Sequence, residues 1–231
     1  MPPVCERLRP TDPNGVSSSI LRVGLTGNIA AGKSTVARWM VDFGCHVLDA
    51  DELGHQCLEP GEPTYDRVVE TFGATVLGDD GAVNRVALGD RVFGDDAARK
   101  RLEEILHPAI RDKEQHHADQ IERAAAPAIV VTEATLLYET GSAGRYQRMV
   151  VVTAPIDIRL DRLKERGLSA DEAGQRMAAQ MEQAEKAERA DYVIDNGSTL
   201  EAGREATRIV CEQLQLDLMR WMGGSPLGPT G

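Results

Sequence analysis

The sequence predicts an α/β fold: a doubly wound, parallel five-stranded sheet with helices on both faces. Three observations carry this expectation. Short apolar runs rich in β-branched residues recur along the chain, and they are uniform rather than alternating, as strands buried on both faces are. Longer, mostly helical stretches separate them, as in βαβ crossovers. With 231 residues and 42% hydrophobic content, the chain can bury a full core without a disulfide or metal staple.

The elements follow in order. Leu21–Thr26 (LRVGLT) reads as a first strand ending in a glycine-rich turn, Lys33–Phe43 as a helix stopped near Gly44, and His46–Asp49 as a second strand. From Asp51 to about Ala126 the chain reads as helical pieces broken at Pro60, Pro63, Gly73 and Gly78–Gly81. That stretch is too long for one crossover. It predicts a helical lobe beside the carboxyl ends of the strands, where such sheets bind ligands. Within it, His107-Pro108 reads as a helix stop and restart, with Pro108 at the first helical position.

Ala128–Thr132 and Met149–Thr153 are the third and fourth strands, and a helix opens at Pro155. Ser169–Arg189 reads as one long polar helix opened by a capping box with Glu172. Tyr192–Asp195 is the fifth strand and Thr199–Met222 a final amphipathic helix. Residues 1–19 and 223–231, rich in Pro, Gly and Ser, read as mobile tails.

Charge and composition exclude several function classes. A net charge of −11 repels polyanions, which argues against nucleic-acid or anionic-membrane binding. No run approaches the roughly 20 apolar residues of a membrane span, and the N-terminal residues lack the apolar run of a signal peptide. The four cysteines, Cys5, Cys45, Cys57 and Cys211, form no CxxC pair. That pattern fits a reducing cytoplasm rather than a disulfide framework or a zinc site.

Gly27-Asn28-Ile29-Ala30-Ala31-Gly32-Lys33-Ser34 matches G-x-x-x-x-G-K-[ST], after a strand and before a helix. A polyphosphate needs several backbone N–H donors converging on one point, and Gly27 and Gly32 let the chain wrap that tightly. The helix opening at Lys33 adds its positive dipole end. Lys33 is expected to reach the β- and γ-phosphates, Ser34 to bind Mg²⁺ and Thr35 to touch the α-phosphate. The fold class is thereby narrowed to a P-loop NTPase-like sheet.

Other candidates carry two readings each. Asp49-Ala50-Asp51 ends the second strand and is either a helix cap or the base that orients an attacking hydroxyl. Glu133, after the third strand, is either a carboxylate over Mg²⁺ or a surface residue of a βα loop. Arg159, Arg162 and Arg166 lie on the helix after the fourth strand, and Arg162 and Arg166 share a face at i,i+4. They either close over ATP or are solvated.

Seven segments in succession resemble the dephospho-CoA kinase family: VGLTGNIAAGKSTVA, VLDADELGH, FGATVLGDDGAVNRVALGDRVF, LEEILHPAI, IVVTEATLLYETG, RLDRLKERGLSADEAGQRMAAQ and ADYVIDNG. The resemblance spans about Leu21 to Ile209. It implies a kinase domain over 20–222, with a core of 20–50, 127–160 and 190–222, a helical substrate lobe of 51–126 and a helical lid of 161–189. It implies ATP as co-substrate, Mg²⁺, and transfer of the γ-phosphoryl group to the ribose 3′-hydroxyl of dephospho-CoA, by a monomer or small homo-oligomer. It further implies that Asp51 is the base, that Arg162 and Arg166 act from the lid, and that Asn196 and Gly197 lie beside adenine. The resemblance also implies that Asp49, Arg85, His107, Glu133 and Leu136 join Asp51 in the acceptor site.

Some positions depart from the family pattern. Asn28 and Ala30 stand where glycine is common, Glu133 where Asp is common and Thr135 where Pro is common. Positions 28 and 30 read as permissive. On the residues alone, a kinase for AMP, shikimate or gluconate, or a nucleotide-dependent switch without acceptor chemistry, stay open as rivals.

Overall fold

The computed structural model describes residues 19–224 and 227–228. Cys5, almost all of the predicted N-terminal tail and about half of the C-terminal one therefore lie outside the described residues. In chain order the elements are β1 (Ile20–Thr26), α1 (Lys33–Asp42), β2 (His46–Asp49), α2 (Ala50–Gln56), α3 (Pro63–Phe72), α4 (Arg85–Val92), α5 (Asp96–Ala125), β3 (Ala128–Glu133), β4 (Arg148–Thr153), α6 (Ile156–Glu165), α7 (Ala170–Ala178), α8 (Gln183–Glu188), β5 (Tyr192–Asp195) and α9 (Leu200–Met222). The chain divides into two compact units, one of residues up to 48 and from 120 on, the other Asp49–Asp119.

The first unit is built on a five-stranded sheet of order β2-β3-β1-β4-β5. The β1–β3, β1–β4 and β4–β5 pairs run parallel. β1 is central and wholly apolar where it matters: Leu21, Val23 and Leu25 have no exposed surface. After β1 the chain builds β2 and β3 on one side, then crosses to β4 and β5 on the other. The switch point of the sheet therefore falls at the carboxyl end of β1, where an open α/β sheet forms its ligand crevice. Val36 and Met40 of α1 and Leu214 of α9 close the core against Val131, Val150, Val152 and Ile194. Each fully buried aliphatic side chain contributes about 1.5–3 kcal/mol.

A buried ionic cluster ties β4 to α9. Arg148, 3% exposed, donates from Nε to Asp217 Oδ2 at 2.6 Å and from Nη2 to Asp217 Oδ1 at 3.2 Å. The Tyr192 hydroxyl donates to Asp217 Oδ2 at 2.7 Å, and Asp191 accepts from Arg148 Nη1 at 3.3 Å. Burial pushes the Arg148 guanidinium down, but the Asp217 hydrogen bond and charge outweigh it, and the net shift is upward. Burial and Asp217 together push the Tyr192 phenol well up.

The second unit has its own core of Leu58, Val68, Phe72, Val76, Leu88, Ala98 and Ile105. Asp49 caps α2, accepting from Asp51 N at 2.9 Å and Glu52 N at 3.2 Å. Asn84 caps α4 in the same way, and Pro63 opens α3.

Three sequence expectations are corrected. α5 runs unbroken through Pro108. A proline inside a helix costs about 3 kcal/mol, yet Ala98 and Ile105 anchor the helix before Pro108 in the second core. After it, Ile110 packs close against Gly54. Tertiary packing overrides the local break. The single helix expected over Ser169–Arg189 is two, α7 and α8, because Gln180 and Met181 turn their polar groups to partners outside any helix. The helix after β4 begins at Ile156, with Pro155 as its cap. Among the described residues, no helix is long and apolar enough to cross a membrane.

Candidate active site

β1 delivers Gly27–Ser34 at the switch point, and α1 carries it away. Gly27 has φ +155° and a Cβ there would meet the Val152 carbonyl oxygen at 2.3 Å. Gly32, the N-cap of α1, has φ +94°, and its Cβ would meet Asn196 Nδ2 at 2.0 Å. Neither position accepts a side chain, which is the physical content of the two motif glycines. Gly32 supplies no side-chain cap to α1, and the first N–H groups of a helix have no intrahelical partner. Together with the dipole they make an anion site.

The loop is held from outside by its carbonyls. Arg159 Nε donates to Ile29 O at 3.0 Å. Arg162 Nη1 donates to Ala30 O at 3.1 Å and Ala31 O at 3.3 Å, while its Nη2 donates to Asn196 O at 2.9 Å. Asn196 Nδ2 also donates to Ala31 O, at 2.9 Å. Two guanidiniums and an amide thus occupy the carbonyls of Ile29, Ala30 and Ala31. Arg159 is 4% exposed, and burial lowers its pKa, partly offset by the Glu182 charge.

Position 30 is not the permissive site its place in the motif implies. Ala30 has φ +62°, the only positive φ of a non-glycine residue among those described. Its methyl packs with Leu163 of α6 and Ala173 of α7.

Lys33 Nζ donates to Gly27 O at 3.0 Å, curled over the loop. The Ser34 hydroxyl donates to Glu133 Oε1 at 2.9 Å. Glu133 is the last residue of β3, 8% exposed, so it belongs to the strand and not to the following surface loop. Among the described residues, no three His, Cys, Asp or Glu side chains gather to hold a metal by themselves.

The remaining predicted residues fall in different places. Thr35 is half-buried in the first turn of α1, and Arg166 is exposed at the end of α6. Gly197 donates its N–H to Asp195 Oδ1 at 3.0 Å, and its Cβ would collide with Pro155 Cδ at 2.1 Å. Leu136 is 42% exposed just after β3. Asp49, Asp51, Arg85 and His107 belong to the second unit. There Asp51 is exposed in the first turn of α2, and Arg85 Nη1 lies 2.7 Å from the His55 ring nitrogens. His107 is half-buried on α5.

Sequence reasoning gave no role to Gln180, Met181, Glu139 or Lys186. Gln180 Oε1 accepts the Ile29 N–H at 2.9 Å, and Met181 O accepts from Asn28 Nδ2 at 2.9 Å. The spacing of Arg159 to Arg162 carried a signal, since i,i+3 residues share a helix face. Lys186 carried none, because its burial depends on partners distant in sequence.

A glycine loop between a buried strand and a helix, with an ammonium, a hydroxyl–carboxylate pair and arginines on its carbonyls, is the construction of a P-loop phosphotransferase. The comparisons make it particular. The dephospho-CoA kinase family model matches residues 21–202. The Dephospho-CoA kinase of Moorella thermoacetica is 43% identical over 197 residues, covering 85% of this chain and 93% of that protein. A crystal structure from Thermus thermophilus aligns with TM-score 0.72 at 36% identity, over 84% of this chain and 97% of that one. The dephospho-CoA kinase structure from Campylobacter jejuni, at 24% identity and TM-score 0.56 over 87% of this chain and 98% of that one, shows the same fold. This chain belongs to the dephospho-CoA kinase family, an ATP-dependent kinase family.

Proposed function

We propose that this chain transfers the γ-phosphoryl group of ATP to the ribose 3′-hydroxyl of dephospho-CoA, releasing CoA and ADP in the last step of coenzyme A synthesis. The observation that carries the reading is the Gly27–Ser34 loop, with its carbonyls tied back by Arg159, Arg162 and Asn196. On this reading the amides at the start of α1 face the triphosphate.

The roles follow from charge and place. The amides of Gly32, Lys33 and Ser34 and the Lys33 ammonium hold the phosphates and offset charge as it spreads over the transferring group. Asp51 aligns the acceptor hydroxyl and takes its proton. Transfer is direct and in line, with no phospho-enzyme. Arg162 braces the loop, and Arg166, exposed four residues on, closes over the phosphates. Asn196 and Gly197 sit beside adenine, and Thr35 beside the α-phosphate. Asp49 fixes Asp51 by capping the helix that carries it. Arg85, His107, Glu133 and Leu136 contribute to the acceptor side.

Ser34 and Glu133, hard oxygen donors 2.9 Å apart, fit Mg²⁺, which takes few protein ligands and keeps its waters. When bound, Mg²⁺ supplies positive charge to the phosphate oxygens.

The test is ADP release with Mg-ATP and a panel of acceptors, with the product mapped by ³¹P NMR. Dephospho-CoA is expected to give a new 3′-phosphate, and AMP, shikimate and gluconate no stimulation. Preference for one of those acceptors would overturn the assignment.

A further inference from the structure

Lys186, on α8, has none of its surface exposed. A desolvated ammonium needs good partners, and it has two. It reaches Glu139 Oε1 at 2.8 Å and donates to Thr135 O at 3.0 Å. Each of these acceptors also serves the phosphate loop. Thr135 O accepts from the hydroxyl of Thr26, the residue before Gly27, at 2.9 Å. Glu139 Oε1 accepts the Met181 N–H at 2.9 Å. Met181 O in turn accepts from Asn28 Nδ2, and the neighbouring Gln180 takes the Ile29 N–H. Hydrogen bonds thus run without a break from Lys186 to the strand end and to the first half of the loop.

We propose that Lys186 is a positioning residue for ATP: through Glu139 it sets the turn between α7 and α8, and through Gln180 and Met181 that turn sets Asn28 and Ile29. The inference rests on reading Gly27–Ser34 as the triphosphate site and adds residues outside that loop. The two halves of the loop have separate supports. Arg159, Arg162 and Asn196 hold the carbonyls of Ile29 to Ala31, while Asn28 and the Ile29 amide hang on the α7–α8 turn. Letting the turn drift moves the loop amides out of register, and a shift of about 1 Å weakens all phosphate contacts together.

Burial acts against the Glu139 carboxylate by raising its pKa. The Lys186 hydrogen bond and the Met181 N–H outweigh it and hold the carboxyl below its ordinary range. The clamp is therefore broken by removing either charge.

The test measures mant-ATP affinity by fluorescence, KM for ATP and for dephospho-CoA, and the unfolding midpoint. The variants are Gln180→Ala, Lys186→Met and the two combined. Gln180→Ala removes a neutral side chain and strands no charge. Lys186→Met strands the Glu139 carboxylate, so Glu139→Gln with Lys186→Met replaces it if the single variant does not fold.

Gln180→Ala is expected to weaken mant-ATP binding and raise KM for ATP roughly tenfold, with KM for dephospho-CoA and the unfolding midpoint near wild type. Loss of the Lys186 charge does the same, and combining the changes adds little because both act through one turn. Folded variants that bind mant-ATP as wild type does would overturn the proposal. So would a loss of affinity that appears only in step with a lower unfolding midpoint. A wild-type chain that binds mant-ATP but never phosphorylates dephospho-CoA would sink the kinase reading, while weakened mant-ATP binding by Gln180→Ala would still support the clamp.

Discussion

Ala30 shows how three small terms decide one residue. At φ +62° an alanine is strained by about 1–2 kcal/mol relative to the ordinary helical region. Glycine would relieve that strain. It would also add roughly 0.5–1 kcal/mol of unfolded-chain entropy and remove a buried methyl worth about 0.8 kcal/mol. The terms nearly cancel, so alanine is tolerated where glycine is common. The motif marks position 30 as free, but only the backbone angle and the contacts with Leu163 and Ala173 reveal the balance. For Asp49 and Asp51 the sequence left helix cap and catalytic base open. Asp49 is the helix cap, and Asp51, the proposed base, is exposed in the first turn of α2. Asp51→Asn should keep mant-ATP affinity and lose about 10²–10⁴-fold in turnover with dephospho-CoA, the range of a general base. A loss of mant-ATP binding in a folded Asp51→Asn protein would remove Asp51 from that role.

Elements whose signal is local were legible. The apolar runs of β1, β3 and β4 appear within a residue or two of their expected bounds, because burial on both faces imposes a uniform composition; β5, at the sheet edge with Val193 exposed, also keeps its expected bounds. The Ser169 capping box opens α7 as expected. What failed depends on partners far along the chain. Pro108 is overridden by packing on both sides of it, and the break after α7 is made by Asn28, Ile29 and Glu139. The β4–α9 link is likewise invisible in sequence, since Arg148 and Asp217 lie 69 residues apart. Asp217→Ala removes the bidentate partner of the buried Arg148 guanidinium and leaves its charge only partly compensated, by Asp191 at 3.3 Å, so the unfolding free energy should fall by about 3 kcal/mol. Replacing both, as Arg148→Met with Asp217→Leu, should recover most of that in denaturant unfolding. If the double replacement is as unstable as the single one, the cluster is not an ion-pair effect.

Over the whole molecule, the phosphate loop and its neighbours on β3, α6 and β5 lie within one unit, while Asp51, Arg85 and His107 lie within the other. The motif alone identified the loop, because a strand, two glycines, a lysine and a helix leave little alternative for a polyphosphate. Arg85 and His107 were assigned to the acceptor side only through the resemblance, since single Arg and His residues carry no distinctive local pattern. Central to the account is that the Lys33 ammonium and the amides beside it hold the triphosphate during transfer. Dephospho-CoA-dependent ADP release by folded Lys33→Ala protein tests this most directly: turnover is predicted to fall by at least about 10²–10³-fold, and turnover near wild type would contradict the account.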